Sequence, residues 1–486
     1  MSHQLHYDLA AAARRSMQEH GFEPDFPPAV KEQLDQLRSH PPAAAQGARD
    51  LRGLLWSSID NDTSRDLDQI EYAEALPDAS YRVLIGIADV DAYAPRGCPI
   101  DAHALRETTT VYTGVEIFPM LPEELSTGST SLLQDQERAA VVIEFTVDAQ
   151  ANIAASSVYR ALVLNKAQLA YPSVGAWLAG TAAPPPKVAA SPELQQQLKM
   201  QNDIAQLLRR QRSSHGALNL QTIETHPICM SDGDIDIEAE VKNEATQLIE
   251  DFMIAANGVV ARSLEAKGMS SIRRVVKTPK RWDRIVELAR QMGTQLPADP
   301  DPKPLHDFLL AQQKKDPDHF ADLSLAVIKL LGPGEYVLDR AGQPAEGHFG
   351  LAVQDYTHST APNRRYADLL TQRLLKAMVA GQRSPYSDDE LASVAAQCTR
   401  MEDAERKVSR EMQKRIAAVA MSGRIGQAFD AIVTGVNEHG TFVRTVKPHV
   451  EGMLVRGQKG LDVGDKLRAT LVRTDPERGY IDFARA

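Results

Sequence analysis

The chain has 486 residues, 43% of them hydrophobic and 24% charged, with a formal net charge of −11. That length predicts two or three domains rather than one core. The acidic total argues against a protein that coats nucleic acid nonspecifically, because phosphate contacts are carried by Lys and Arg. No apolar run approaches the roughly 18 residues of a membrane span. The N-terminus MSHQLHYDLAAAARRSMQEHG has charges where a signal peptide needs an apolar stretch, so a cytoplasmic protein is expected. Cys98, Cys229 and Cys398 stand far apart with no CxxC or Cys/His cluster, which suggests neither zinc nor a disulfide framework.

Residues 1–50 read as an Ala-rich appendage of short helices, broken by Phe22–Pro28 and by Pro41-Pro42. From Leu54 to about Ala161, short β-branched segments such as Tyr81–Ala88 and Ala139–Thr146 predict strands. The Pro-rich stretch 180–190 reads as a surface loop. Windows near 192–214, 243–267, 280–293 and 365–380 carry apolar residues at helical spacing, and Asp388–Met421, free of Gly and Pro, predicts one long helix. From Gly423 the texture changes to short alternating strands, which suit a small OB-type barrel. The fold class is therefore α+β, divided as 1–50, 51–421 and 422–486.

The most informative segment is Ser58–Gln69, in which Asp60, Asp62, Asp66 and Asp68 fall among Asn, Thr and Ser between strand-like flanks. Such a run repels itself unless a cation sits in it, and a hard ion such as Mg²⁺ takes carboxylate oxygens. Asp66 and Asp68 share one face of an extended segment. A solvated acidic turn or a calcium loop would also read this way, but the sixth position of a calcium loop, normally Gly, is Arg65. A second segment, Tyr356–Leu369, puts Arg364 and Arg365 after a Pro-Asn turn at the start of a helix, a pattern fit to clamp phosphate or to pair with Asp368. Arg400, Arg406, Lys407, Arg410, Lys414 and Arg415 add a basic face on the long helix.

Together these segments resemble the catalytic (RNB) domain of the ribonuclease II and ribonuclease R family. The landmarks run in order: Ile59-Asp60 with Asp66 and Asp68, Ile87–Val90, Tyr112 before Phe118–Pro122, Glu250–Asn257, His348–Asp368 and Ala404–Arg406. Gly435, His439-Gly440, Phe442, Glu451-Gly452 and Asp462–Asp465 resemble the S1-type domain that ends these enzymes. The resemblance implies an RNB domain over 51–421 and an S1-type barrel over 422–486. It implies a processive 3′→5′ exoribonuclease that acts on single-stranded RNA and releases nucleoside 5′-monophosphates; a monomer is expected, although the sequence leaves the oligomeric state open. Asp60, Asp66 and Asp68, with Gln69 and Asp62, would hold Mg²⁺ (or Mn²⁺), and Asp68 would be the residue turnover depends on most. Arg364, assisted by Arg365, would meet the phosphate at the cleaved bond. Tyr112 and Glu405 would contact the strand inside, and His439 and Phe442 would contact it on the barrel.

Three departures stand out. Gln69 replaces the second of two adjacent aspartates. Ser271–Val276 lacks an expected His, and no aromatic is evident for the second side of a base clamp. The two cold-shock barrels that usually precede the catalytic domain do not fit into the first 50 residues. Gln69 supports an alternative: a catalytically weakened RNA-binding protein of the same family.

Overall fold

The computed structural model describes residues 7–42, 47–221, 224–229, 235–240, 242–317 and 319–486. Two helices open the chain, Leu9–Glu19 and Pro28–Ser39, as the Ala-rich appendage predicts. Asp8 caps the first by accepting the Ala11 amide at 2.9 Å, and Pro28 starts the second at a position where a missing N–H costs nothing.

The body of the molecule is built on a six-stranded sheet. Its order is Arg49–Asp50, Ile153–Ala170, Trp56–Asp60, Gln69–Ala75, Tyr81–Ala88 and Glu137–Val147. The long strand Ile153–Ala170 also pairs antiparallel with Glu137–Val147, which turns the sheet back on itself. Both of its faces are buried, Trp56 and Ile70 on one side, Val83 and Ile85 on the other. Helices Pro192–Ser214 and Glu244–Ala266 pack on each other and over the sheet. The second helix is apolar around most of its circumference, as a helix buried on several sides must be. The Ser387–Glu390 capping box starts the helix Asp388–Ser422, whose 35 residues make a rod of roughly 50 Å.

The C-terminal strands close into a barrel in the order Ala428–Asn437, Gly440–Thr445, Glu451–Arg456, Tyr480–Arg485, Lys466–Asp475. Ala418 and Met421, from the last turns of the long helix, are part of the barrel's buried core. The helix therefore runs into the barrel without a free linker.

Two expectations need correction. The stretch 180–190 is not wholly a surface loop: Pro186–Ala189 forms a helical turn and Val188 is fully buried in the main core. Helices Pro302–Lys315 and Phe320–Leu331, which the apolar spacing did not reveal, join Trp282 and Ile285 of the helix Trp282–Gln291 in a separate small core. Among the described residues no helix is long and apolar enough to cross a membrane. Cys98 and Cys398 are free thiols; the side chain of Cys229 lies outside the described residues.

Candidate active site

The acidic loop joins the end of strand Trp56–Asp60 to the start of Gln69–Ala75. Asp60 shapes its first turn, accepting the Asn61 amide at 2.7 Å and the Ser64 hydroxyl at 2.8 Å. The second half is stapled flat. Leu67 is buried, its amide donates to Ser131 Oγ at 2.9 Å, and its carbonyl accepts the Leu132 amide at 2.9 Å. With Leu67 turned inward, Asp66 and Asp68 turn the other way, as alternation requires.

Asp68 is only 2% exposed. One carboxylate oxygen accepts the Asn363 amide at 2.9 Å, and the other lies 3.8 Å from Arg364 Nε. Burial pushes its carboxyl up to about 8, against the pull of Arg364 and of the Asn363 amide. Burial also raises Asp60. Asp66 is half-buried and accepts the Tyr112 hydroxyl at 3.2 Å; burial, followed by the Asp66 charge, keeps that phenol protonated. Asp62 is exposed on the loop and Gln69 half-buried at the head of its strand.

The two arginines have different tasks. Arg365 forks Asp368 with two bonds of 2.8 Å, and the other half of that carboxylate's work is to accept the Ala361 amide at 2.9 Å. Arg365 thus locks the Pro-Asn turn at the start of helix Tyr366–Val379. The Arg364 side chain, 44% exposed, reaches out toward Asp68.

The remaining candidates stand farther out. Glu405 is half-buried on the long helix; burial, then Glu402, raises its carboxyl. His439 is exposed on the hairpin turn of the barrel, and Phe442 is half-buried on the next strand.

Three features escaped the sequence reading. A ladder of edge-to-face rings runs His348, Tyr356, His358, Tyr336 at centroid spacings of 5.5, 5.7 and 5.5 Å, tied by a 2.7 Å bond between Tyr336 and His358. Burial, then Arg365 and Arg274, keeps His358 neutral. The period-two spacing of Tyr356 and His358 was the available signal; the partner Tyr336 comes from another strand. Asn257 accepts both the amide and hydroxyl of Ser359, at 2.9 and 2.7 Å, which fixes the approach to the arginine turn. Glu71 is fully buried and, among the described residues, neither of its carboxylate oxygens has a hydrogen-bond partner. It occupies the twelfth place counted from Asp60, where a calcium loop has its last ligand. Here it lies inside the strand Gln69–Ala75, opposite Ser57, so the segment is not a calcium loop. In the segment Ser271–Val275 the arginines are structural: Arg273 pairs with Asp339 and Asp355 at 2.7 Å, and Arg274 forks Glu402.

Among the described residues no three His, Cys, Asp or Glu side chains converge closely enough to cage a metal. An all-oxygen set of carboxylates on one loop, one of them buried, nevertheless fits an ion that uses one or two carboxylates and keeps its waters for substrate phosphate.

The RNB domain family matches residues 48–381, and the RNase II-type exonuclease C-terminal S1 domain matches residues 427–486. Ribonuclease R of Vibrio cholerae is 30% identical over 453 residues, 90% of this chain and 54% of that protein. Ribonuclease R of Escherichia coli is 28% identical over 444 residues, 88% of this chain and 54% of that protein. The chain thus spans about half the length of these two relatives. A structure of Mycoplasma genitalium RNase R in complex with ribose methylated single-stranded RNA superposes with a TM-score of 0.86 at 23% identity, covering 99% of this chain and 78% of that one. Yeast Ssd1, a pseudonuclease, superposes at 0.71 and 16% identity, covering 97% and 58%.

Proposed function

This chain belongs to the RNB-domain family, and from that premise we propose that it is a hydrolytic exoribonuclease. It removes nucleoside 5′-monophosphates processively from the 3′ end of single-stranded RNA in the cytoplasm, acting as a monomer with Mg²⁺ or Mn²⁺. The observation that carries the reading is the pairing of a buried Asp68 with the Asn363–Arg364 turn.

Asp68 and Asp66, aided by Asp60, would hold the cation, with Gln69 and Asp62 as further oxygen donors. When bound, the cation activates water and offsets charge on the leaving oxygen. Water adds at the terminal phosphorus, the bond to the 3′ oxygen breaks, and a proton ends on that oxygen. Arg364 stabilises the charge that grows on the phosphoryl oxygens. Arg365 contributes by fixing the turn rather than by touching phosphate. Tyr112 orients the last nucleotide against Asp66, and Glu405 contacts the strand farther along. Phe442 and His439 of the barrel bind it outside, by stacking and hydrogen bonding.

Gln69 favours a second reading, in which the protein binds RNA without cutting it. An amide oxygen can coordinate Mg²⁺ but brings no charge, so the cation is held less tightly than by two adjacent aspartates. A 5′-labelled single-stranded RNA incubated with Mg²⁺ separates the two. Trimming to a short 5′ product by the wild type, with intact bound RNA for Asp68→Asn, is the expected result. RNA left uncut by both, with Mn²⁺ as well, would leave only the binding protein.

A further inference from the structure

The N-terminal segment is fastened to the substrate side of the site. Helix Leu9–Glu19 lays Ala13 and Met17 into one apolar cluster with Val408 and Met412 of the long helix. Ser16 Oγ and His20 Nε2 both meet Glu411 at 2.9 Å. Phe22, 3% exposed, joins the same cluster, which also receives Val111 and Phe118. These are the two buried residues of the small hairpin Val111-Tyr112 and Ile117-Phe118 that carries Tyr112. Arg14 reaches Glu116, in the hairpin's turn, at 3.5 Å.

A second connection is polar. Both oxygens of the buried Glu107 carboxylate accept the Glu23 amide, at 3.1 and 3.2 Å. Burial pushes this carboxyl up to about 7. Glu107 ends helix Pro99–Glu107, and Thr108 then turns the chain with φ of 57°. The following strip runs along the arginine turn: the Thr108 carbonyl accepts the Tyr366 amide at 2.8 Å, and the Thr110 amide donates to the Arg364 carbonyl at 3.0 Å. The strip ends on Tyr112, whose hydroxyl meets Asp66. A buried carboxylate must be answered by donors, and here the Glu23 amide meets both of its oxygens.

We propose that Phe22 and Glu107 are positioning residues, which hold the Tyr112 hairpin and the Arg364 turn in register with Asp66 and Asp68. The N-terminal helices are then part of the machinery that aligns the RNA 3′ end. The proposal rests on the exoribonuclease reading and adds to it the residues that set the alignment.

The test uses the full chain with Phe22→Ala, Glu107→Ala and the conservative Glu107→Gln. Amide exchange followed by mass spectrometry reports on residues 108–118, single-turnover cleavage gives the rate, and the Kd for the same RNA is measured on an Asp68→Asn background. Both alanine variants are expected to speed exchange at 108–118 at least tenfold with the barrel strands unchanged. Their cleavage rate should fall about tenfold while Kd stays within twofold. Glu107→Gln keeps an acceptor oxygen and should recover most of both losses. Should Phe22→Ala not fold, the Glu107 pair decides alone. An active wild type whose variants exchange and cleave at its own rates overturns the proposal only. A wild type that leaves RNA intact overturns the exoribonuclease reading, and this proposal with it.

Discussion

Two groups of three aspartates sit in the same half of the molecule and are treated in opposite ways. Asp89, Asp91 and Asp101 are answered fully. Asp89 pairs with Arg160 at 3.1 Å and Lys376 at 2.8 Å, Asp91 with Arg373 and Lys376 at 2.8 Å, and Asp101 with Arg373 at 2.8 Å. Among the described residues, Asp60, Asp66 and Asp68 share one ion pair, Arg364 at 3.8 Å from Asp68. The protein neutralises the first group with its own cations and leaves the second under-neutralised. On the proposed function, that imbalance separates acids that hold the fold together from acids that would meet an external charge.

The sharpest way to break the contrast is to remove Arg364 from the second group. Arg364→Ala is expected to lower the single-turnover cleavage rate by about a thousandfold, the range seen for arginines that stabilise phosphoryl transfer. Its melting temperature should stay within a few degrees of the wild type; a large drop in melting temperature with the rate intact would move Arg364 into the structural class. Removing a cation from the first group should do the reverse. Arg373→Ala leaves Asp91 and Asp101 short of a partner in the interior, and urea denaturation should show a loss of about 3–5 kcal/mol. Cleavage per folded molecule should not change.

Gln69→Asp sharpens the contrast by adding a charge to the under-neutralised group. The Mg²⁺ concentration for half-maximal rate should fall about tenfold, a typical effect for groups beside a metal site. An unchanged or higher requirement would mean that Gln69 stands outside the ion's reach. A further effect concerns pH. His103 packs on Phe26 at 4.6 Å, and burial, helped by Arg106, holds it down to about 4. The unfolded chain binds this proton at about 6.5 and the folded one only near 4, so stability is full above 6.5 and is lost as pH falls toward 4. His103→Gln should flatten that slope, by on the order of 2 kcal/mol across the window. A wild-type melting curve that is level from pH 7 to 5 would contradict it.

Much of the site was legible because local alternation decides it. Asp66-Leu67-Asp68 has one apolar residue that must face the core, so both acids must share the opposite face. The division of labour between Arg364 and Arg365 was not legible. Which arginine reaches Asp368 depends on the path of the Pro-Asn turn, and both choices satisfy the same charge pattern. The ring ladder was hidden for a related reason, since Tyr336 meets His358 only through strand pairing between distant segments. Helix Pro302–Lys315 is not among the segments the apolar spacing picks out, although Asp301 followed by Pro302 is a start signal. The barrel was read correctly from period-two strands. The burial of Ala418 and Met421 in its core is tertiary and left no mark on the helix's own periodicity.

The Asn363–Arg364 turn has one further consequence. Its backbone amide holds Asp68 while the adjacent side chain faces the place a phosphate would take. Any ligand that draws on Asp68 and any ligand that draws on Arg364 therefore act on a single rigid unit. Thermodynamic reciprocity then requires that whatever factor RNA imposes on cation affinity, the cation imposes on RNA affinity. On the proposed function, the two would have to be titrated together, and a cation constant measured without RNA would describe a different equilibrium from the one with RNA bound.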